Sequence, residues 1–182
     1  MTETRMTLVD ADRPPDDLKP LFARVAAHYG GPPGPAHRLL ANHPALYRQW
    51  LGMGSELLMS GNLQARTREL VILRTARNCA CVYELHSHAA AARNAGIDDA
   101  QLAAVQAPDL DPSAFDPGDL AALRCADQLW AEATLDDAAW AELRRHFEPL
   151  LAAELLFLVG HYVATAFLLN GLGLEEHLGC RP

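Results

Sequence analysis

The longest apolar run in the sequence, LLFLVGHYVATAFLL from Leu155 to Leu169, limits the folds open to it. It falls short of the roughly 20 residues needed to cross a bilayer and contains Gly160, His161 and Thr165. It therefore reads as a buried core helix, and no membrane span is expected. The rest of the chain offers helices to cover it. Asp16 to Tyr29 has helical spacing, and Gly30 to Pro35 breaks it. Asn42-His43-Pro44 reads as a cap and an early helical proline opening a helix that Ser60-Gly61-Asn62 stops. Helical patterns follow over 63–78 and 81–95, the latter ended by Gly96 as a left-handed cap. A short helix starts at Asp98, a Pro/Asp-rich connection covers 107–119, and further patterns cover 120–133, 136–147 and 149–170. No segment alternates as a strand does.

The expected fold is all-α, a compact multi-helix domain, because half of the residues are hydrophobic and few are aromatic. An interior of Ala and Leu favours helices. At 182 residues the chain fits a single domain. Residues 1–35 form an arm and first helix, and residues 36–182 form the main helical body. The formal charge of −8 and the scattered arginines leave no basic field for nucleic acid. The acidic N-terminus lacks a signal peptide's basic start and apolar stretch. A cytoplasmic location is expected, with its four cysteines reduced.

Polar chemistry concentrates in RELVILRTARNCACVYELHSHAAAAR, residues 68–93. At about 100° per residue, Glu84 and His88 share the side of Cys81, with Leu85, Ala91, Ala92 and Ala95, whereas His86 lies opposite. In the preceding helix Glu69 shares a face with Ile72, Leu73 and Ala76, while Thr67, Arg68 and Arg74 turn away. Two glutamates are thus aimed inward. A buried carboxylate persists when it is paired, protonated or employed, and two carboxyls beside an imidazole push their pKa values apart. Glu69, Glu84 and His88 form a candidate acid/base site. The structural alternatives are a surface Glu84–His88 pair one turn apart and a buried salt bridge from Glu69 to Arg66 or Arg77.

Cys79-Ala80-Cys81 is C-x-C rather than the C-x-x-C of thiol redox sites. Cys81, near a helix N-terminus, is a candidate thiolate, and Cys125 and Cys180 read as small buried hydrophobes. Glu69, Cys81, Glu84 and His88 could supply mixed metal ligands, but neither H-E-x-x-H nor paired C-x-x-C occurs. No metal or cofactor is expected.

The stretches NHPALYRQW, SGNLQARTRELVILRTA, CVYELHSHAAAARNAGI and LVGHYVATAFLLNGLGLEEH resemble the carboxymuconolactone decarboxylase and alkylhydroperoxidase D-like superfamily. The resemblance covers about residues 40–178. It implies an all-α fold that assembles as trimers or hexamers, with a dimer the smaller possibility. Its peroxidase branch carries C-x-x-C, a histidine four residues later and a relay glutamate, which map to Cys81, His88 and Glu69. The second cysteine, which attacks peroxide, maps to Glu84. The sequence instead resembles the subgroup C-x-Y-E-W-x-x-H, with Leu85 in place of Trp.

Together these readings predict cofactor-independent acid/base chemistry on a small organic acid or lactone, a decarboxylation, isomerisation or related lyase step. His88 and Glu84 would be the acid/base pair and Glu69 would orient His88. Cys81 and Tyr83 would line or border the pocket, and His161, sharing a face with Glu154, could join it or form a buried structural pair with Glu154. The rivals are a thiol peroxidase or disulfide reductase using Cys81 with Cys79, and a non-catalytic binding or assembly module.

Overall fold

The computed structural model describes residues 4–174; Cys180 and the end of the last resembling stretch lie outside them. The described residues form helices and no strand: α1 (Lys19–Tyr29), α2 (Pro35–Leu40), α3 (Pro44–Ser55), α4 (Ala65–Asn78), α5 (Val82–Asn94), α6 (Asp99–Gln106), α7 (Pro117–Glu132), α8 (Asp137–His146) and α9 (Pro149–Gly171). The all-α expectation holds. A wider π-helical turn, Glu56–Ser60, closes α3.

Local chemistry sets most helix ends. Asp98, Asp116 and Asp136 cap α6, α7 and α8 by accepting a backbone N–H from three residues ahead. His43 caps α3, its Nδ1 accepting the Leu46 N–H at 3.2 Å. Asn42 instead donates to the Thr7 and Leu39 carbonyls and ties the arm to α2. Gly96 follows α5 at φ +84°, the left-handed closure its position predicts.

The centre of the fold is α4. Val71 and Ile72 pack with Leu155, Leu158, Val159 and Tyr162 of α9 and with Ala122, Cys125 and Ala126 of α7. Leu70 and Leu73 pack with Ala92, Ile97, Leu102, Val105 and Leu123 on the other flank. Because α4 is enclosed on nearly all sides, Thr67 and Arg74 do not turn away to solvent; both are buried. Thr67 donates to Asp119. Arg74 is paired with Asp127 and donates to the carbonyls of Val105, Ala107 and Pro108, which makes its burial tolerable.

The expected core helix is two-faced. α9 spans 23 residues and is long and apolar enough to cross a membrane by length and composition, but Ala152, Leu155, Leu158, Val159, Tyr162, Thr165, Ala166 and Leu169 are buried in this protein's own core. Leu150, Ala153, Phe157, Gly160, Ala164 and Phe167 are exposed on the opposite side.

The α4–α5 turn positions the site. Cys81 N–H donates to the Ala76 carbonyl at 2.8 Å, and the Asn170 side chain holds the Cys79 carbonyl at 2.8 Å from α9. Ala80 supplies the reversal at φ +51°, a left-handed conformation that costs an L-residue about 1–2 kcal/mol. Ala80→Gly is therefore expected to stabilise the chain by roughly 0.5–1 kcal/mol, read as a higher urea midpoint.

Candidate active site

Glu69 comes from α4 and His88 from α5, side by side because the 79–81 turn folds one helix back along the other. Glu69 is 2% exposed, and its Oε2 meets His88 Nδ1 at 2.8 Å. Its Oε1 accepts from Arg68 Nε at 3.3 Å. The partners are thus His88 and Arg68, not Arg66 or Arg77; Arg66 is held by Asp119 and the Gly96 carbonyl. With Nδ1 engaged, His88 has Nε2 left to meet another molecule, and that nitrogen makes no hydrogen bond among the described residues. A carboxylate on Nδ1 fixes tautomer and ring orientation, as in other acid/base histidines.

Glu84, in the first turn of α5, is also 2% exposed, so it is not part of a surface pair. Neither carboxyl oxygen makes a hydrogen bond of normal geometry. Burial pushes its pKa from 4.5 up to about 8, and the Cys81 thiol pulls it partway back. At neutral pH it is mainly a carboxylic acid, because burying the unpaired anion would cost several kcal/mol. One inward glutamate is bound to an imidazole and a guanidinium, and the other is held protonated.

Tyr162 of α9 stands edge-on to His88, with ring centroids 5.1 Å apart. Burial raises its hydroxyl pKa well above 10, and the charges of Glu69 and Glu84 both add to the rise. The phenol therefore remains neutral within reach of both carboxyls. Sequence reasoning selected its neighbour His161, whose ring lies between Tyr162 (5.5 Å) and Trp50 (6.1 Å, nearly parallel). His161 reaches the site through those rings. It forms no pair with Glu154, which accepts the backbone N–H groups of Asn62 and Leu63 instead. Tyr29, at the end of α1, packs edge-on to His37 at 5.8 Å, and its pKa is raised by burial first and then by the charge of Glu69. The sequence signal for Tyr29 and Tyr162 was faint, since each is a lone tyrosine in an otherwise ordinary helix.

The remaining selected residues sit at the border. Tyr83 accepts the Ala36 N–H at 3.2 Å and clamps α2 to α5. Cys81 sits at the N-terminal boundary of α5 and packs with Ala36, Leu39, Ala166 and Leu169. Cys79 is buried beside it, and burial, with Glu84 adding, pushes its thiol up to about 11. Cys125 is a core residue, pushed up to about 12 by burial. His86 is exposed, as its face predicts, but so is Ala91, and of the predicted inward side only Cys81, Glu84 and Ala92 are fully buried. Among the described residues, no three His, Cys, Asp or Glu side chains converge as a metal site.

Residues 44–128 match the carboxymuconolactone decarboxylase family. The fold is similar to that of an uncharacterized peroxidase-related protein from Ralstonia eutropha JMP134, described as an alkylhydroperoxidase AhpD core (TM-score 0.80, 21% identity, covering 93% of this chain and 90% of that one). A peroxidase-related protein from Silicibacter sp. TM1040 gives TM-score 0.79 at 20% identity, with the same coverage. A variant of the debrominase Bmp8 in complex with 2,3,4-tribromopyrrole gives 0.75 at 15% identity, covering 94% of this chain and 92% of that one. No protein of curated function matches the sequence. Residues 44–128, from α3 to α7, thus carry the carboxymuconolactone decarboxylase family pattern inside a fold similar to that of the AhpD-like structures.

Proposed function

We propose that this chain is a cytoplasmic enzyme that moves protons on a small organic acid or lactone without a cofactor, in a decarboxylation, isomerisation or related lyase step. The observation that carries the reading is the contrast between the two buried glutamates: Glu69 bonded to His88 Nδ1 at 2.8 Å, Glu84 near the Cys81 thiol, with no cationic partner among the described residues and a pKa near 8. Such a contrast separates an acceptor from a donor. His88 Nε2 takes or returns the substrate proton, Glu69 holds the ring and balances its charge, and Glu84 gives a proton to the oxygen where charge develops.

The thiol alternative has less support. A glutamate stands where the second cysteine of a C-x-x-C would be, and Cys79, with its pKa near 11, is a poor thiolate at neutral pH. The test is solvent-deuterium exchange into a panel of small keto acids and unsaturated lactones, followed by NMR. The proposal predicts catalysed exchange with at least one compound, lost in His88→Ala. Thiol-dependent peroxide consumption with no exchange would favour the alternative.

Self-association is part of the same proposal. The exposed residues of α9, from Leu150 to Phe167, recur at alternating three- and four-residue steps. This is the seam spacing of packed helices, and Gly160 and the alanines leave room for a partner's phenylalanines. Leu150, Phe157 and Phe167 are 70%, 63% and 57% exposed. Phe157→Glu is expected to convert an oligomer to monomer in light scattering; an unchanged mass would reject α9 as the interface.

A further inference from the structure

Adjacent residues on a helix do not face each other, yet Arg68 reaches its chain neighbour Glu69, with Nε 3.3 Å from Oε1. Helical spacing turns Arg68 away from that face; in the fold its side chain bends back and is only 17% exposed. Glu69 thus divides its oxygens, Oε2 on the His88 ring at 2.8 Å and Oε1 on the guanidinium. A second anion, Glu154 of α9, stands within electrostatic reach of Arg68. Glu154 is fixed immediately ahead of α4. Both its oxygens accept the Asn62 N–H at 2.9 Å, and it also accepts the Asn62 amide at 3.2 Å and the Leu63 N–H at 3.1 Å. The approach is so close that a Cβ at Gly61 would collide with Glu154 Oε1. Burial raises the Glu154 pKa, but these N–H groups and then the charge of Arg68 outweigh it, so the net direction is downward and the group is a carboxylate.

Arg68 is bonded unlike the arginine that holds helices together here. Arg74 makes five hydrogen bonds, to Asp127 and three carbonyls, whereas Arg68 makes one among the described residues, to Glu69. Its other contribution is charge. The titratable groups that face Glu69 and His88 from the remaining helices are mainly neutral at pH 7: Tyr162 of α9 and Tyr29 of α1, both raised by burial first, and Glu84 of α5, raised by burial to about 8. The fixed charges are therefore Glu69, Arg68 and Glu154. A buried carboxylate without a counter-charge draws a second proton onto a neighbouring imidazole, and a ring with two N–H groups has no lone pair to offer a substrate. The guanidinium supplies that counter-charge from the far oxygen of Glu69.

Building on the acid/base reading, we propose that Arg68 is a positioning residue that keeps His88 Nε2 open to the substrate proton, and that Glu154 tempers its charge from α9. The two residues act on the ring with opposite signs. Loss of the Arg68 cation favours the two-proton ring, and loss of the Glu154 anion favours the one-proton ring.

The test is nitrogen-15 NMR of the histidine rings in the full chain at pH 7, with the His88 signals assigned by their loss in His88→Ala. Arg68→Gln is expected to raise the ratio of two-proton to one-proton ring about three- to tenfold. Arg68→Lys, which keeps the charge, should restore the native ratio to within about twofold, and Glu154→Gln should lower it by about twofold. A loosened fold would admit water and move the ratio the same way in both glutamine variants, so opposite signs are the mark of charge. An unchanged ratio in Arg68→Gln, no rescue by lysine, or an unchanged or raised ratio in Glu154→Gln would overturn the inference. If Arg68→Gln does not fold, the sign in Glu154→Gln decides. Because the spectra need no substrate, opposite shifts in a chain that exchanges no substrate proton would reject the acid/base reading and keep the Arg68 coupling. His88-dependent exchange without those shifts would reject the coupling alone.

Discussion

His88→Ala is expected to lower turnover by about 10²–10⁴-fold, equivalent to roughly 3–5 kcal/mol of barrier. The size follows from position: Nδ1 is committed to Glu69 at 2.8 Å, so in the proposed reaction Nε2 is the ring nitrogen that exchanges the substrate proton. The loss should fall in kcat more than in KM, because the histidine interacts with charge that develops during the reaction. The variant should also be less stable by about 1–3 kcal/mol, since Glu69 would keep only Arg68 at 3.3 Å. Stability and rate must therefore be read separately. Combining Glu69→Gln with His88→Ala should cost little more activity than His88→Ala alone, because Glu69 works through His88. Additive losses would place Glu69 on the substrate directly.

Glu84→Gln should remove the proton donor and make the fold more stable at alkaline pH. Its carboxyl titrates near 4.5 when exposed and near 8 in the folded chain, so the unfolded chain releases this proton first as pH rises. The contribution to stability is fully present below about pH 4.5 and declines until about pH 8, where the anion forms inside the protein. The difference amounts to roughly 4–5 kcal/mol at most. Urea titrations of the native chain should show stability falling through this window, and Glu84→Gln should flatten that component. Catalysis in the native chain should fall above about pH 8 as Glu84 ionises. A group retained at such a cost to the fold has the signature of a residue kept for function.

Much of this was legible in the sequence because helices write their faces at a fixed period. Glu69, Glu84 and His88 lie within two helices joined by a short turn, and helical spacing placed all three inward. Thr67 and Arg74 were misplaced because a single period assumes one solvent side, whereas α4 is enclosed by α5, α6, α7 and α9. Only the partner helices, with Asp119, Asp127 and three carbonyls, reveal why those polar residues are tolerated inside. The two faces of α9 were hidden for the opposite reason. Its exposed side is as apolar as its buried side, so hydropathy cannot distinguish core from seam. Tyr162 comes to His88 from α9, far along the chain, and nothing local in α9 signals that meeting.

The account rests on Glu84 being a carboxylic acid at neutral pH, and difference infrared spectroscopy of the native chain against Glu84→Gln observes that proton directly. The predicted result is a protonated-carboxyl band present at pH 7, absent from the variant and lost with a midpoint near pH 8. A Glu84 carboxyl already ionised at pH 6 would contradict it.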